Sequence, residues 1–409
     1  NWASYQFCPN GCRHIHKRCS PPSIKGLISL SRQLFIAPGY ESVAKVFGKY
    51  HKDELAGASF AATVDGAQVV DLWGGVRADG SAWSDDTMCF IASGTKGICT
   101  VAVLMCVERG LINLEAPIES VWPEFAAGGK GHVLIGDALA HMAGVPGIER
   151  KITAEEISDP IMMAQLLAEQ HPFVPVGSPT YHALTFGWIA SELVRRTDGR
   201  SIGTFVREEI AQPLQLDLHI GASDDVLPRI TKTTRAKNFN YTALLPGSTI
   251  DQRLLHVYGM TPVELSESPD FAKIELPGGG GVASAYAMSR LYAMLVNGGQ
   301  LDGVRLLQPE TIEIARRERS VGNDALSGRQ LRFGIGFEIN PNPSRLGMAP
   351  DAFGHTGAGG STHGAWPSMN TSFSYAMREF QTENSDSRAF ELLDVLDECV
   401  MRQSKKKAP

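Results

Sequence analysis

Ser93-Gly94-Thr95-Lys96 opens a long apolar stretch, Gly97 to Val107, whose composition predicts a buried helix. The residues just before it, Thr87 to Ala92, are typical of a strand. A helical spacing of three residues places Ser93 and Lys96 on one face. The serine then stands at the N-terminus of the helix, where unpaired N–H groups and the helix dipole favour negative charge.

This pair is suited to nucleophilic chemistry. A serine hydroxyl attacks a carbonyl only when a neighbouring group takes its proton, and a lysine that desolvation has deprived of its charge can do so. Taken alone, however, the tetrad fits better with a serine that caps the helix and a lysine that reaches out to solvent. Two later segments reverse that preference.

The two segments carry a phenol and a glycine-rich turn. Tyr181-His182-Ala183 stands at a loop-to-helix junction, where a tyrosine can point into a cleft and carry protons beside a lysine. His355-Thr356-Gly357-Ala358-Gly359-Gly360 lies close to a strand predicted over Thr371 to Arg378. Its small residues let backbone N–H groups approach a ligand.

In this order, Ser-x-x-Lys, Tyr-x-x and His-Thr-Gly resemble the motifs of the serine β-lactamase and penicillin-binding-protein superfamily. The chain is most similar to class C β-lactamase-like esterases (family VIII carboxylesterases) and to the β-lactamase-like proteins of animal mitochondria. The resemblance covers about residues 40 to 401. Further stretches match the family: Leu139 to Gly147, Gly199 to Ser201, Ile210 to Leu216, Gly278 to Ser284, Leu291 to Gly299 and Leu307 to Pro309.

Local patterns predict individual elements along the chain. Apolar runs on either side of Asp65-Gly66 predict a hairpin over Ser59 to Gly75. A further strand is predicted over Gln330 to Ile339. Helices are predicted over Ile135 to Met142, Ile161 to Glu169, Leu184 to Arg196, Ile202 to Ile210, Ala285 to Val296 and Ser387 to Arg402.

The pattern and the resemblance together imply an α/β (α+β) fold: an antiparallel sheet flanked by helices, with an inserted all-helical lobe. We expect an extension over residues 1–40, disordered or serving in targeting, and a β-lactamase-related domain over 41–409. Residues 41–114 and 256–409 would form the sheet lobe and 115–255 the helical lobe. The site would lie in the cleft between them.

The resemblance implies acyl transfer through a covalent intermediate on Ser93. Lys96 and Tyr181 would share the removal of its proton, and which of them is the base stays open because the two would titrate as a coupled pair. The oxyanion hole would consist of the Ser93 and Ala358 N–H groups. Four residues would line the substrate: His355, Thr356, Gly357 and Ala358. The resemblance implies no metal and no cofactor.

Two departures from the β-lactamase pattern bear on the substrate. Ala183 stands where true β-lactamases have an asparagine, and it cannot hydrogen-bond an acyl amide. His355 stands where they have a lysine, and it is a weaker, pH-dependent partner for a carboxylate. Small esters are therefore the expected substrates of a serine hydrolase of the carboxylesterase or acyltransferase type. His182 and His141 are interpreted as structural.

Other functions stay open at this point. The same chemistry could serve a serine peptidase or amidase, or a β-lactamase. A non-catalytic scaffold of the same fold is a further alternative, although the intact Ser93, Lys96 and Tyr181 argue against it.

The composition excludes several classes of protein. The chain has 409 residues, of which 43% are hydrophobic and 20% charged, which is ordinary for a globular protein. A formal net charge of −6 gives no reason to expect nucleic acid as a partner. No apolar run approaches the roughly 20 residues of a membrane span. We expect a small-molecule ester or amide as substrate, and the oligomeric state is open.

The N-terminal 40 residues have a composition of their own. Cys8, Cys12 and Cys19 lie near two histidines, but they lack the paired Cys-x-x-Cys of a zinc site, so a solvated extension is favoured over a metal site. Five basic residues and no acidic residue precede Glu41, a bias typical of a mitochondrial transit peptide. This favours a mitochondrial or cytoplasmic location over secretion, with a tail of accidental bias as the alternative.

Overall fold

The computed structural model describes residues 32–237, 239, 265–340, 345–382 and 386–407. Residues 1–31, which include Cys8, Cys12 and Cys19, lie outside these ranges. The prediction of an extension there is therefore not tested.

The described strands are numbered in chain order. They are β1 (Phe35–Ile36), β2 (Ala58–Val64), β3 (Ala67–Gly74), β4 (Cys89–Phe90), β5 (Leu218–His219), β6 (Thr234–Arg235), β7 (Val282–Ala283), β8 (Gln300–Leu301), β9 (Val304–Arg305), β10 (Ser320–Asn323), β11 (Gln330–Phe333), β12 (Glu338–Ile339), β13 (Phe353–Thr356), β14 (Thr362–Trp366), β15 (Thr371–Met377) and β16 (Glu379–Phe380).

The described α-helices are numbered in the same way. They are α1 (Glu41–His51), α2 (Thr95–Glu108), α3 (Ile135–Leu139), α4 (Ala154–Ile157), α5 (Pro160–Glu169), α6 (Thr185–Asp198), α7 (Ile202–Val206), α8 (Gln212–Leu214), α9 (Ala285–Val296), α10 (Pro309–Arg316) and α11 (Arg388–Lys407).

One large antiparallel sheet forms the centre of the fold. Among the described residues it has nine strands in the order β1-β3-β2-β15-β14-β13-β12-β11-β10. The hairpin β2–β3 turns at Asp65 and Gly66, whose φ angles of +52° and +74° suit a tight two-residue turn. On its other side, β2 pairs with β15, with Ala62 opposite Phe373. Both halves of the chain therefore build one sheet, as the α/β prediction requires.

Helices cover both faces of this sheet. α9 packs on β2, β14 and β15, and its start is fixed by Ser284, whose hydroxyl accepts a hydrogen bond from Ala287 N at 3.1 Å. On the opposite face α1 and α11 pack together, and their apolar side chains share a core with Phe60, Phe373 and Tyr375. α2 is nearly all apolar, and it is buried between the sheet and α6.

Two predicted elements were wrong in detail. Gln330 to Ile339 is not one strand, because the chain reverses between β11 and β12 through Gly336, which has a φ of +66° and packs against Thr100. Ile202 to Ile210 is not one α-helix, since a π-helical turn follows α7 over Arg207–Ala211. Pro213 has no N–H to offer to the carbonyl four residues earlier, and this widens the helix at that point.

The predicted boundary at residue 40 was also too late. Phe35 and Ile36 pair with Val70 and Asp71 of β3, so the sheet begins before residue 41. The segment pairs because β3 otherwise leaves an unpaired edge. The predicted boundaries of the helical lobe, 115 and 255, stay a prediction, and part of that region lies outside the described residues.

Candidate active site

Ser93 lies in a tight turn between the end of β4 and the start of α2. The turn is a short 3₁₀ segment, Ala92–Gly94, and Ala92 has a φ of +45°, which is uncommon for a residue with a side chain. Gly94 allows the turn to approach β14, because a Cβ there would come within 2.4 Å of the His363 ring. The turn leaves the Ser93 side chain partly exposed while the residues of α2 behind it are buried.

Lys96 is wholly buried one turn further along. Its Nζ donates hydrogen bonds to Ser93 Oγ at 2.9 Å and to the carbonyl oxygens of Ala183 and Gly278, both at 2.7 Å. Burial lowers the pKa of Lys96 from 10.5 to about 7, and the nearby acidic groups only partly oppose this shift. Near neutral pH, a large share of the molecules therefore carries an uncharged amine beside the serine.

Tyr181 approaches the serine from the other side. Its Oη lies 2.9 Å from Ser93 Oγ, and Lys96 Nζ lies 5.1 Å from the centre of its ring. The ring packs between His141 and Phe333, with ring centres 4.9 and 6.0 Å away. Ser93 Oγ is thus within hydrogen-bond distance of both proton-carrying groups that the sequence predicted.

The histidine of the third motif is neutral in this structure. His355 is fully buried on β13, and its Nδ1 donates to Thr356 O at 2.7 Å. Burial and the charge of Lys96 hold the pKa of His355 well below its ordinary value. The sequence had indicated a pH-dependent partner for a carboxylate. A histidine that stays uncharged cannot form an ion pair with one at physiological pH.

Thr356 faces a carboxylate that the sequence motifs did not reveal. Its Oγ1 lies 3.1 Å from each carboxylate oxygen of Glu338, and its backbone N–H donates to the same group at 3.3 Å. Glu338 is buried on the neighbouring strand β12, and desolvation raises its pKa. The Thr356 hydroxyl is therefore engaged within the protein.

The turn after β13 is tied to the turn that carries the serine. Gly357 N donates to Ser361 O at 2.8 Å, and Ser361 Oγ donates to Ile91 O at 3.1 Å. A Cβ on Gly357 would lie 2.5 Å from Ile91 O, so only glycine permits this approach. The contact holds Ala358, the next residue, beside the turn that carries Ser93.

Asp324 is a second residue that the sequence did not reveal. It is 5% exposed, and its Oδ2 accepts a hydrogen bond from Tyr181 N at 2.7 Å. Its Oδ1 accepts from Leu326 N and Ser327 N, which is the pattern of a turn stabilised by its own aspartate. Asp324 with Ser327 and Gly328 three and four residues later is consistent with such a turn, but nothing in the sequence indicates its contact with Tyr181.

The histidines beside Tyr181 have structural contacts. His141 Nδ1 accepts from His182 N at 3.0 Å, and His182 bonds to Thr180 O through Nδ1 and to Val145 N through Nε2. Both rings are fully buried. Burial lowers the pKa of His182 to about 4 and that of His141 well below its ordinary value. These contacts fit the structural interpretation made from the sequence.

Comparison with known proteins identifies the family. The profile of the family described as Beta-lactamase matches residues 43–397. The chain belongs to this family. The predicted resemblance is thereby confirmed, and so is the α/β fold with its large antiparallel sheet.

Three relatives illustrate the range of the family. The chain is 32% identical to a Mycobacterium tuberculosis protein named Esterase/beta-lactamase LipL, over 83% of this chain and 81% of the relative. A penicillin-binding-protein homologue from Caulobacter crescentus has 31% identity and a TM-score of 0.81, with 90% of this chain and all of that one aligned (100%). A family VIII carboxylesterase has 30% identity and a TM-score of 0.82, over 90% and 99% of the two chains.

The described residues contain neither a membrane-spanning helix nor a metal-binding cluster. None of the helices that the structure describes is long and apolar enough to cross a bilayer. In the same described ranges, no cluster of three or more His, Cys, Asp or Glu side chains is placed to hold a metal ion.

Proposed function

We propose that this protein is a serine hydrolase that acts on small esters through an acyl-enzyme, as a carboxylesterase or an acyltransferase. The observation that carries the proposal is the position of Ser93 Oγ, 2.9 Å from both Lys96 Nζ and Tyr181 Oη. Because the pKa of Lys96 is lowered to about 7, its uncharged amine can accept the serine proton.

In the first half of the reaction Ser93 Oγ attacks the ester carbonyl. Its proton passes to the Lys96–Tyr181 pair, a bond forms between Oγ and the carbonyl carbon, and the negative charge on the carbonyl oxygen is met by the Ser93 and Ala358 N–H groups. The bond to the alcohol then breaks, and the alcohol leaves with a proton returned by the pair.

In the second half, water or another alcohol attacks the acyl group. In this proposal Tyr181 Oη takes the proton of the incoming molecule, since the reverse path must use the same groups. Release of an acid makes the protein an esterase, and transfer to an alcohol makes it an acyltransferase. The residues described here serve both outcomes equally.

The substrate preference follows from what the site lacks. Ala183 offers a methyl group in place of an amide, and His355 is buried and neutral, so neither holds the side-chain amide or the carboxylate of a β-lactam. A polar substrate group left unpaired costs about 1–3 kcal/mol. A small ester needs neither contact. The naming of relatives as esterases supports the same preference.

The first experiment identifies the nucleophile. Intact-mass analysis after treatment with a fluorophosphonate should show one adduct, and Ser93→Ala should show none. An adduct that persists in Ser93→Ala would overturn the proposal.

The second experiment identifies the substrate class. The ratio of kcat/KM for 4-nitrophenyl butyrate to that for a chromogenic cephalosporin should strongly favour the ester, and the double substitution Ala183→Asn and His355→Lys should lower this ratio. Aminoacyl anilides in the same panel test for a peptidase or amidase. Efficient cephalosporin turnover with negligible ester hydrolysis would contradict the ester assignment and leave the serine mechanism standing.

A further inference from the structure

The turn that carries Ala358 consists of residues with little conformational preference of their own. Gly359 and Gly360 follow it with φ angles of +85° and +114°, which glycine adopts easily and also leaves easily. An oxyanion hole lowers the barrier only when its N–H groups are already held where charge develops. The turn therefore depends on contacts from outside to fix the Ala358 N–H.

Arg388, the first residue of α11, makes such a contact from behind the turn. Its Nη2 donates to Gly359 O at 3.1 Å and to Glu379 O at 3.0 Å. Gln381 N donates to the same Gly359 carbonyl at 3.1 Å. A single guanidinium thus joins the start of a long helix to the glycine turn and to strand β16.

Asp386 fixes the orientation of this guanidinium. Its two carboxylate oxygens accept from Arg388 Nε and Nη2, each at 2.8 Å, in a forked arrangement. A Cβ on Gly360 would lie 2.1 Å from Asp386 Oδ2, so the turn rests directly against the pair. Only a glycine at that position permits the contact.

The burial of this pair is by itself weak evidence that the pair stabilises the fold. Both side chains are 4% exposed. Removing two charges from water costs several kcal/mol, and apolar residues of similar volume often stabilise a fold as well or better. The pair does, however, offer something that apolar residues cannot, which is a directed hydrogen bond to the Gly359 carbonyl.

We infer that the Asp386–Arg388 pair positions the Ala358 N–H in the oxyanion hole. Arg388 is a positioning residue in this inference, because it acts through the Gly359 carbonyl and does not touch the substrate. The inference rests on the proposed function, and it adds a link between the C-terminal helix and the transition state.

The test compares two substrates. One is the ester 4-nitrophenyl butyrate, and the other is its thionoester, in which sulfur replaces the carbonyl oxygen. Sulfur accepts hydrogen bonds weakly, so the thionoester gains little from the oxyanion hole. Loss of one oxyanion donor costs about 10²- to 10³-fold in kcat. Arg388→Lys keeps the positive charge but loses the forked hydrogen bonds to Asp386, so it should displace the Ala358 N–H. The ratio of kcat for the ester to kcat for the thionoester should therefore fall by about tenfold or more.

A matched control exists in the chain. Asp198 and Arg200 form the same fork at the same spacing, with Nε–Oδ1 at 2.5 Å and Nη2–Oδ2 at 2.9 Å. Asp198 lies 3.8 Å from Arg109, which follows the C-terminal end of α2, about 20 Å from the serine by the rise of that helix. Arg200→Lys should leave the ratio unchanged.

Asp386→Asn is the second test variant, in case Arg388→Lys does not fold. It should also lower the ester-to-thionoester ratio of kcat, but by less than Arg388→Lys does. Complete fluorophosphonate labelling counts the active molecules of each variant, so misfolded protein does not enter the comparison.

The outcomes are distinct. A fall of the ratio in the Asp386 or Arg388 variants, and not in Arg200→Lys, supports the inference. An unchanged ratio, or equal falls in both rates, overturns it, because a merely structural role affects both substrates alike. Ester hydrolysis that survives in Ser93→Ala would instead overturn the proposed function.

Discussion

The Tyr181 ring packs between His141 and Phe333, and its hydroxyl is the one heavy atom that phenylalanine lacks. Tyr181→Phe removes the group 2.9 Å from Ser93 Oγ and leaves the packing against Phe333 and the bond from its N–H to Asp324 in place. We expect kcat for 4-nitrophenyl butyrate to fall about 10²-fold or more, with a nearly unchanged melting temperature. Near-normal turnover in a folded variant would mean that Lys96 acts alone.

Lys96 sets the pH dependence of the reaction. The amine accepts a proton only when uncharged, so the acylation rate should rise as the pH passes upward through about 7 and fall below it. The burst of 4-nitrophenol between pH 5.5 and 8.5, measured in about half-unit steps, gives this profile, and the apparent value belongs to the Lys96–Tyr181 pair. A rate that is flat across this range would contradict the assignment.

The four described histidines around the site do not titrate where this profile changes. Burial holds the pKa of the four histidines around the site below their ordinary range, so none of them titrates near 7: His141, His182, His355 and His363. With a folded pKa of about 7 against 10.5, the unfolded chain binds more protons between these values. The contribution of Lys96 to stability therefore rises with pH there and is constant below 7. The four buried histidines have folded pKa values below the ordinary 6.5, so the unfolded chain binds more protons below that pH and stability falls on the acid side. A melting temperature measured at each pH separates this loss of stability from the protonation of Lys96.

The site depends on a backbone contact between the start of α6 and the glycine loop before β7. The carbonyl of Gly278 accepts a hydrogen bond from Lys96 Nζ, so the loop is held close to α6. A Cβ on Gly278 would lie only 2.4 Å from Leu184 O. Gly278→Ala should therefore cost about 1–3 kcal/mol of unfolding free energy and lower kcat, because the loop must move away from Lys96. Urea unfolding and ester hydrolysis measure the two effects.

Gly48→Ala is the control for this substitution. Gly48 lies within α1, and a Cβ there would meet no atom within 4 Å. It should stabilise the protein by about 0.5–1 kcal/mol through the better helix propensity of alanine, with unchanged activity. Equal stabilities for the two variants would show that the close approach at Gly278 is unimportant.

The elements that the sequence predicted well have local signals. The Asp65-Gly66 turn marks the β2–β3 hairpin, and Ser284 marks the start of α9 at the predicted residue. The elements predicted wrongly depend on distant partners. Gly336 turns the chain between β11 and β12 because its N–H reaches Leu139 O and its backbone lies against Thr100, and no neighbouring residue signals this.

The same distinction holds for the site. Ser93 and Lys96 are one helical turn apart, so their spacing is visible in the sequence, and the family motifs added Tyr181. The other contacts join residues far apart in the sequence. Asp324 bonds to Tyr181 across 143 residues, and Glu338 bonds to Thr356 across 18. Arg388 bonds to Gly359 across 29 residues. Contacts of this kind depend on which strands and loops become neighbours in the fold, so the local pattern of one segment does not predict them.

The last helix, α11, completes the core on one face of the sheet. Leu396 is fully buried there among side chains of both chain halves. Leu396→Ala should cost about 2–5 kcal/mol of unfolding free energy, because it leaves a cavity that the sheet cannot close. Met401 on the same helix is 47% exposed, and Met401→Ala should change stability by less than about 0.5 kcal/mol. Urea denaturation compares the two, and similar losses would contradict this account of the core.

The place of β2 between β3 and β15 in the sheet has a consequence for synthesis on the ribosome. Its pairing partner β15 follows much later, with Thr63 and Ser372 in contact across 309 residues. At about 5–20 residues per second, β2 waits roughly 15–60 s with an unpaired apolar edge. During that interval the nascent hairpin can pair with another chain as readily as with its own. The yield of folded protein is therefore expected to depend on translation speed and on chaperones that shield this edge.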